Sequence, residues 1–104
     1  MTTNGLLGLL GTPEEIRKRA AWEKASAVLG YDPATVRRDA YGWHIIWADY
    51  GNRDSAYGWE IDHTMPTALG GGDGLSNLRA LHWRNNAGLG GRLGATILGT
   101  AARK

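Results

Sequence analysis

The stretch that decides the fold spans residues 57–91 and reads YGWEIDHTMPTALGGGDGLSNLRALHWRNNAGLGG. Tyr, Trp and Ile at alternating positions predict a strand over residues 57–63. A loop follows over 65–76, because one proline and four glycines there interrupt regular structure. Residues 77–81 predict a second short strand, and a helix is expected to begin at Trp83. The expected order is strand, loop, strand and helix.

Four polar side chains stand at the junctions of these elements and could meet at one place. His63 ends the first strand, and a neutral imidazole can take a proton from water near neutral pH. Asp62 and Asn86 offer two oxygen ligands, about what Mg²⁺ takes from a protein when phosphate and water complete its shell. Asn77 can brace the glycine loop through side-chain hydrogen bonds to the backbone, which would fix the angle of His63.

Adjacent strand residues normally point to opposite faces, which constrains this arrangement. Asp62 and His63 can share a site only if the strand ends or bends there. Pro66 lies just beyond and cannot extend a ladder of hydrogen bonds, which is consistent with such an end.

The spacing of these residues resembles the HNH endonuclease motif, whose members have a ββα-metal fold. The resemblance implies His63 as the general base and Asn77 as the structural asparagine. It implies Asp62 and Asn86 as the ligands of one divalent metal ion, Mg²⁺ or Mn²⁺. The residues that carry it are Trp59-Glu60-Ile61-Asp62-His63-x-x-Pro66, Gly70-Gly71 and Asn77-Leu78-Arg79-Ala80-Leu81-His82-Trp83-x-Asn85-Asn86. A weaker likeness to small bacterial or phage-type members extends to Gly30-Tyr31-Asp32-Pro33, Arg38-Asp39 and Tyr50-Gly51-Asn52.

One departure from the motif follows Asn86. Family members usually carry basic residues there, whereas this chain has Ala87-Gly88-Leu89. We therefore expect a weaker grip on phosphate and weaker stabilisation of charge in the transition state.

Four further residues near the motif are open to more than one interpretation. Glu60 precedes Asp62 by two positions on the same strand face, and it either supports the site or pairs with an arginine. His82 would share a helical face with Asn86 if the helix extended back that far. Packing or a phosphate contact is the favoured role for His82, with zinc binding as the alternative. Arg79 and Arg84 are candidates for nucleic-acid binding, with plain surface solvation as the alternative.

Composition limits the chemistry available to the chain. With 104 residues, a single domain is expected. The chain has no cysteine, so disulfides and thiolate zinc sites are excluded. A metal must be held by His, Asp, Glu or Asn, which favours Mg²⁺ or Mn²⁺, or Zn²⁺ through imidazole. The net charge of +2 does not by itself indicate nucleic acid, and no apolar run approaches a membrane span.

The rest of the chain predicts a helical support for the motif. Residues 1–11 are expected to form a flexible lead, and residues 92–104 a flexible tail. Thr12-Pro13-Glu14-Glu15 begins a helix that should run to about Leu29, and Asp32-Pro33 should begin a second one to about Asp39. Residues 41–47 are expected to be extended. The prediction is one α+β domain over 1–104, in which a helical support region, 12–56, packs on a ββα-metal core, 57–91.

The expected function is metal-dependent endonuclease cleavage of DNA, with RNA as the less favoured substrate. Two alternatives remain open: a binding module of the same fold with little or no catalysis, and a toxin or effector nuclease neutralised by a protein partner. A homodimer is one way to cut both strands, since one active site cuts one strand. The expected location is cytoplasmic, without a membrane contact.

Overall fold

The computed structural model describes residues 11–88 of the chain. Its elements are α1 (Pro13–Glu23), β1 (Ser26–Ala27), β2 (Val36–Arg38), β3 (His44–Ile46), β4 (Trp59–His63) and β5 (Leu78–His82). A second helix occupies residues 83–88, and short 3-10 turns lie at Trp47–Asp49, Thr67–Leu69 and Leu75–Asn77. The α+β class expected from the sequence is confirmed.

Helix α1 begins where the sequence predicts. The hydroxyl of Thr12 accepts the backbone N–H of Glu15 at 3.1 Å, and the Glu15 carboxylate accepts the backbone N–H of Thr12 at 3.0 Å. This capping box satisfies two donors that the first turn of a helix leaves unpaired. Pro13 takes the first helical position, where its missing N–H costs nothing.

The predicted end of this helix at Leu29 is wrong, because α1 ends at Glu23. Directly after it, the ammonium group of Lys24 donates to the backbone carbonyls of Leu75 and Leu78, the latter at 2.7 Å. The chain then enters β1, whose residues pair with β2. Because of these hydrogen bonds to distant parts of the chain, residues 24–29 are not helical, although the local sequence favours a helix there.

The predicted second helix over residues 33–39 is also wrong. Asp32 begins a single turn, in which its carbonyl accepts the N–H groups of Thr35 and Val36 at 2.9 and 3.0 Å. The following residues form β2, the middle strand of an antiparallel sheet in the order β1-β2-β3. Sheet pairing on both sides, together with a β-branched residue at its start, outweighs the local helix signal. The support region therefore has one helix and a small sheet, and the predicted strand 41–47 shortens to His44–Ile46.

Strands β4 and β5 form an antiparallel pair. Trp59 pairs with His82 at one end, and His63 pairs with Leu78 at the other. None of the surface of Trp59 is exposed, and Ile61 on the same face is half-buried. Tyr57 lies before the strand and is exposed, so its predicted place in the alternation is wrong.

Aromatic rings form the core that anchors β4. The ring centre of Trp59 lies 5.1 Å from that of Trp22 on α1, 5.7 Å from that of Trp47, and 4.8 Å from that of Tyr50. Such tilted contacts add to the large apolar area that each ring buries. The core therefore fixes α1 and the residues after β3 directly against the strand that carries the motif.

A buried carboxylate joins the β2–β3 turn to the end of β5. Asp39 is 4% exposed, and its Oδ1 accepts the N–H groups of Tyr41 and Trp43 at 2.9 Å each. Its Oδ2 accepts the backbone N–H of His82 at 3.0 Å and the side-chain amide of Asn85 at 2.8 Å. One side chain thus sets both the turn and the start of the helix that carries Asn86.

The two ends of the chain lie largely outside residues 11–88. The predicted flexible lead, apart from residue 11, and the predicted tail lie outside the described residues. Among residues 11–88, no helix is long and apolar enough to cross a membrane.

Candidate active site

The candidate residues of β4 divide between its two faces. Glu60 and Asp62 are two positions apart and share one face, whereas His63 follows the face of Trp59 and Ile61. The strand ends at His63, and a site shared by Asp62 and His63 stays a prediction. No hydrogen bond among the described residues joins Asp62 to His63, and each has a different partner.

Asp62 is paired directly across the hairpin with Arg79. The guanidinium Nε donates to Oδ2 of Asp62 at 3.0 Å, and both side chains are about a quarter exposed. Arg79 also lies over the ring of Tyr41, with 5.7 Å between the guanidinium carbon and the ring centre. The sequence left Arg79 open between nucleic-acid binding and surface solvation, and in the structure its guanidinium balances the charge of Asp62.

Glu60 pairs with an arginine, one of the two roles that the sequence left open, and it also contacts Asn86. Its carboxylate accepts two hydrogen bonds from the guanidinium of Arg53, at 2.6 and 2.9 Å, and its Oε1 also accepts the side-chain amide of Asn86 at 2.9 Å. The hydrogen bond from Arg53, followed by that from Asn86, holds the pKa of Glu60 below its usual range despite partial burial. Because the amide nitrogen of Asn86 faces Glu60, the orientation of its carbonyl oxygen is also set.

His63 is bonded to an aspartate from the glycine loop. Its Nε2 lies 2.9 Å from Oδ1 of Asp73, which also pairs with the guanidinium of Arg17 on α1 at 3.0 Å. These two neighbours, His63 first, hold the pKa of Asp73 below its usual range. The imidazole is therefore attached to the loop through Asp73 and, through Arg17, to the first helix.

Asn77 holds the two ends of the glycine loop together. Its Oδ1 accepts the N–H of Met65 at 2.8 Å, and its Nδ2 donates to the carbonyls of Met65 and Gly72 at 3.1 and 2.7 Å. The backbone carbonyl of Asn77 also accepts the N–H of Thr64 at 2.7 Å. These bonds brace the segment that begins directly after His63.

The loop also depends on a glycine where no side chain fits. A Cβ added to Gly71 would lie 1.7 Å from the carbonyl oxygen of Met65, and the N–H of Gly71 bonds to the carbonyl of Pro66 at 2.9 Å. The backbone approaches itself so closely that only glycine is accommodated.

His82 is packed in the core, in line with the packing role favoured from the sequence, and the helix does not extend back to it. It ends strand β5 and is 1% exposed. Its Nδ1 accepts the N–H of Arg84 at 3.0 Å, so its Nε2 carries the proton and donates to the carbonyl of Ala56 at 2.8 Å. With both nitrogens engaged, this ring is not available to zinc. Arg84 is exposed and lies over the ring of Trp83, 5.0 Å from its centre.

Among residues 11–88, no three His, Cys, Asp or Glu side chains form a metal-binding group. The bonds to Arg79 and Glu60 engage Oδ2 of Asp62 and Nδ2 of Asn86, and the other carboxylate oxygen of Asp62 and the amide oxygen of Asn86 are the candidate ligands. Oxygen donors of this kind suit Mg²⁺ or Mn²⁺. Binding of the ion by Asp62 and Asn86 stays a prediction, and in the structure Glu60 orients the amide of Asn86.

Three contributors to the site were not found by sequence reasoning. Arg53 and Arg17 lie in parts of the chain without a motif, and only the fold brings them to Glu60 and Asp73. Asp73 did have a signal, because it is the sole charged residue between His63 and Arg79. A single carboxylate in a glycine-rich loop beside a candidate base could have been flagged.

No family model, curated protein or solved structure matches the chain.

Proposed function

We propose that this protein is a metal-dependent endonuclease of the HNH type that hydrolyses phosphodiester bonds in DNA. The observation that carries the proposal is the hairpin and helix over residues 59–88. Asn86 donates to Glu60, which shares a strand face with Asp62, and His63 ends the same strand, bonded to Asp73 of the glycine loop. The choice of DNA over RNA rests on the resemblance to the HNH motif, and DNA as substrate agrees with a cytoplasmic location.

In the proposed reaction, His63 takes a proton from a water molecule whose oxygen attacks the phosphorus atom. The bond from phosphorus to the 3′ oxygen breaks, and that oxygen takes a proton from solvent. The products are a 5′ phosphate and a 3′ hydroxyl. A divalent ion, when bound, supplies Lewis-acid stabilisation of the charge on the phosphate and on the leaving oxygen. The role of Asp62 and Asn86 is to hold that ion, and that of Asn77 is to keep the loop closed.

The direct test is cleavage of supercoiled plasmid by the full chain with Mg²⁺ or Mn²⁺. EDTA should abolish cleavage and added Mg²⁺ should restore it. His63→Ala should lose on the order of 10²–10⁴-fold in rate, the usual contribution of a general base. His44→Ala is the matched control, because His44 is an exposed histidine on β3, outside the motif. Full activity in EDTA, or in purified His63→Ala, would refute the assignment.

A second candidate function is a nucleic-acid-binding or partner-binding module of the same fold with little or no catalysis. The favouring observation is that Glu60 and Asp62 are each balanced by an arginine, Arg53 and Arg79, within the chain. The sequence also lacks the expected basic residues after Asn86. Retained binding of a labelled oligonucleotide, without cleavage in either metal, would favour this candidate.

A further inference from the structure

An uninterrupted chain of polar contacts runs from helix α1 to the candidate base. Arg17 Nη1 lies 3.0 Å from Oδ1 of Asp73 and 3.4 Å from the backbone carbonyl of the same residue. The same Oδ1 lies 2.9 Å from Nε2 of His63. Arg17 therefore contacts both the side chain and the backbone of Asp73, and Asp73 in turn bonds to one nitrogen of the imidazole.

The position of Asp73 is also set by its neighbours in the loop. On its N-terminal side, the carbonyl of Gly72 accepts the amide of Asn77 at 2.7 Å. On its C-terminal side, Lys24, which follows α1 directly, donates to the carbonyl of Leu75. Backbone on both sides of Asp73 is thus tied down, so the carboxylate meets His63 from a fixed place.

We infer that Asp73 is a positioning residue for His63, and that Arg17 holds Asp73 in place. This inference rests on the proposed function. A carboxylate accepts hydrogen bonds and cannot donate them when ionised, so the nitrogen that faces it must carry a proton. His63 is therefore held as the Nε2–H tautomer, and Nδ1 keeps the lone pair that takes the proton from water. Such control of tautomer and orientation by an acidic partner is a general device in histidine catalysis.

Orientation, rather than stability, is the expected contribution of this chain of contacts. The side chain of Asp73 is 70% exposed, against 29% for His63 and 28% for Arg17. Exposed ion pairs add little to folding because water and salt screen them. Replacing Asp73 should therefore leave the fold intact while freeing the imidazole to rotate and to change tautomer.

The test is a long-range ¹H–¹⁵N NMR spectrum of the metal-free full chain, at a pH at which the ring is neutral. In the wild type, His63 should be protonated at Nε2, with an Nε2–H proton protected from exchange with water. Asp73→Ala should lose that protected proton and gain the Nδ1–H form, and Arg17→Gln should weaken the protection. Asp54→Ala, which removes an exposed aspartate from another loop, should leave the His63 signals unchanged.

Cleavage kinetics give a second readout. Asp73→Ala should lower kcat by about 10- to 100-fold, the usual cost of removing a group that orients a functional histidine. KM for a duplex oligonucleotide should stay within about twofold, since Asp73 is not assigned a contact with substrate.

Two outcomes separate this inference from the proposed function. An Nδ1–H tautomer in the wild type, or an unchanged His63 spectrum in Asp73→Ala, would overturn the inference even if the protein cleaves DNA. An Nδ1–H tautomer in the wild type refutes the inference even if a variant fails to fold. If the spectra behave as expected but the wild type does not cleave, the hydrogen bond stands and the catalytic proposal fails.

Discussion

Removal of the buried acceptor at Asp39 should be among the most damaging single changes to this fold. Asp39→Asn keeps the shape of the side chain but replaces one carboxylate oxygen with an NH₂ group. The wild-type carboxylate faces four donors: the N–H groups of Tyr41, Trp43 and His82, and the amide of Asn85. Whichever way the new amide turns, its NH₂ faces two of those donors.

The magnitude follows from what is left unpaired. In one orientation, the new NH₂ takes the place of the oxygen that accepts from His82 and Asn85, which are 1% and 2% exposed. The unpaired N–H of His82 costs about 1–3 kcal/mol, and the lost hydrogen bond from Asn85 costs about 1 kcal/mol more. In the other orientation, the NH₂ takes the place of the oxygen that accepts from the N–H groups of Tyr41 and Trp43. The turn that these two hydrogen bonds hold is then lost. We expect Asp39→Asn to lower the free energy of unfolding by about 2–4 kcal/mol, a large share of the 5–15 kcal/mol typical of a domain.

Urea unfolding followed by tryptophan fluorescence measures this directly. Asp32→Ala is the control, because Asp32 is an exposed aspartate whose carboxylate accepts one backbone N–H, that of Ala34 at 2.9 Å. Its loss should be about 1 kcal/mol or less. If Asp39→Asn lowered the free energy of unfolding no more than Asp32→Ala does, the conclusion that Asp39 connects the turn to β5 would be wrong.

The remaining predictions concern the glycine loop and Tyr50. Gly71→Ala should destabilise the protein by about 1–3 kcal/mol and reduce cleavage, because its Cβ would collide with the backbone of Met65. Gly72→Ala should change stability by less than about 0.5 kcal/mol, since nothing lies within 4 Å of its Cβ; equal thermal unfolding of the two variants would contradict the close approach. Burial, and then the 2.6 Å hydrogen bond to Glu14, raise the pKa of Tyr50 to about 12. Because the folded pKa lies above the usual 10.0, the contribution of Tyr50 is present below pH 10 and is lost as pH rises towards 12. Tyr50→Phe should therefore show a smaller loss of stability over that range in pH-dependent urea titrations, and an identical slope would refute the assignment.

The elements around the motif could be predicted because their signals are local. Alternation around Trp59 gave the first strand within two residues, and the capping box at Thr12 gave the start of α1. The bracing bonds of Asn77 likewise lie close in sequence to the loop they close. These features depend on residues a few positions apart, so the linear pattern contains them.

The helical reading of residues 24–39 failed for the opposite reason. Helix propensity is a weak preference of a few tenths of a kcal/mol per residue, and pairing with a distant strand easily exceeds it. His82 was misplaced similarly, because its bonds to Ala56 and Arg84 follow from where β5 ends rather than from its distance to Asn86.

The sequence by itself determined the α+β class, the strand–loop–strand–helix order, and which residues carry groups able to bind metal or move a proton. Only the tertiary structure decided how those groups are partnered. In the folded chain, Asp62 bonds to Arg79, Glu60 bonds to Arg53 and Asn86, and His63 bonds to Asp73. The physical reason is that each of these bonds joins residues at least seven positions apart, across a hairpin, a loop or a helix end. Which donor meets which acceptor depends on how the tryptophan core sets α1 and the hairpin against each other, and no local preference encodes that packing.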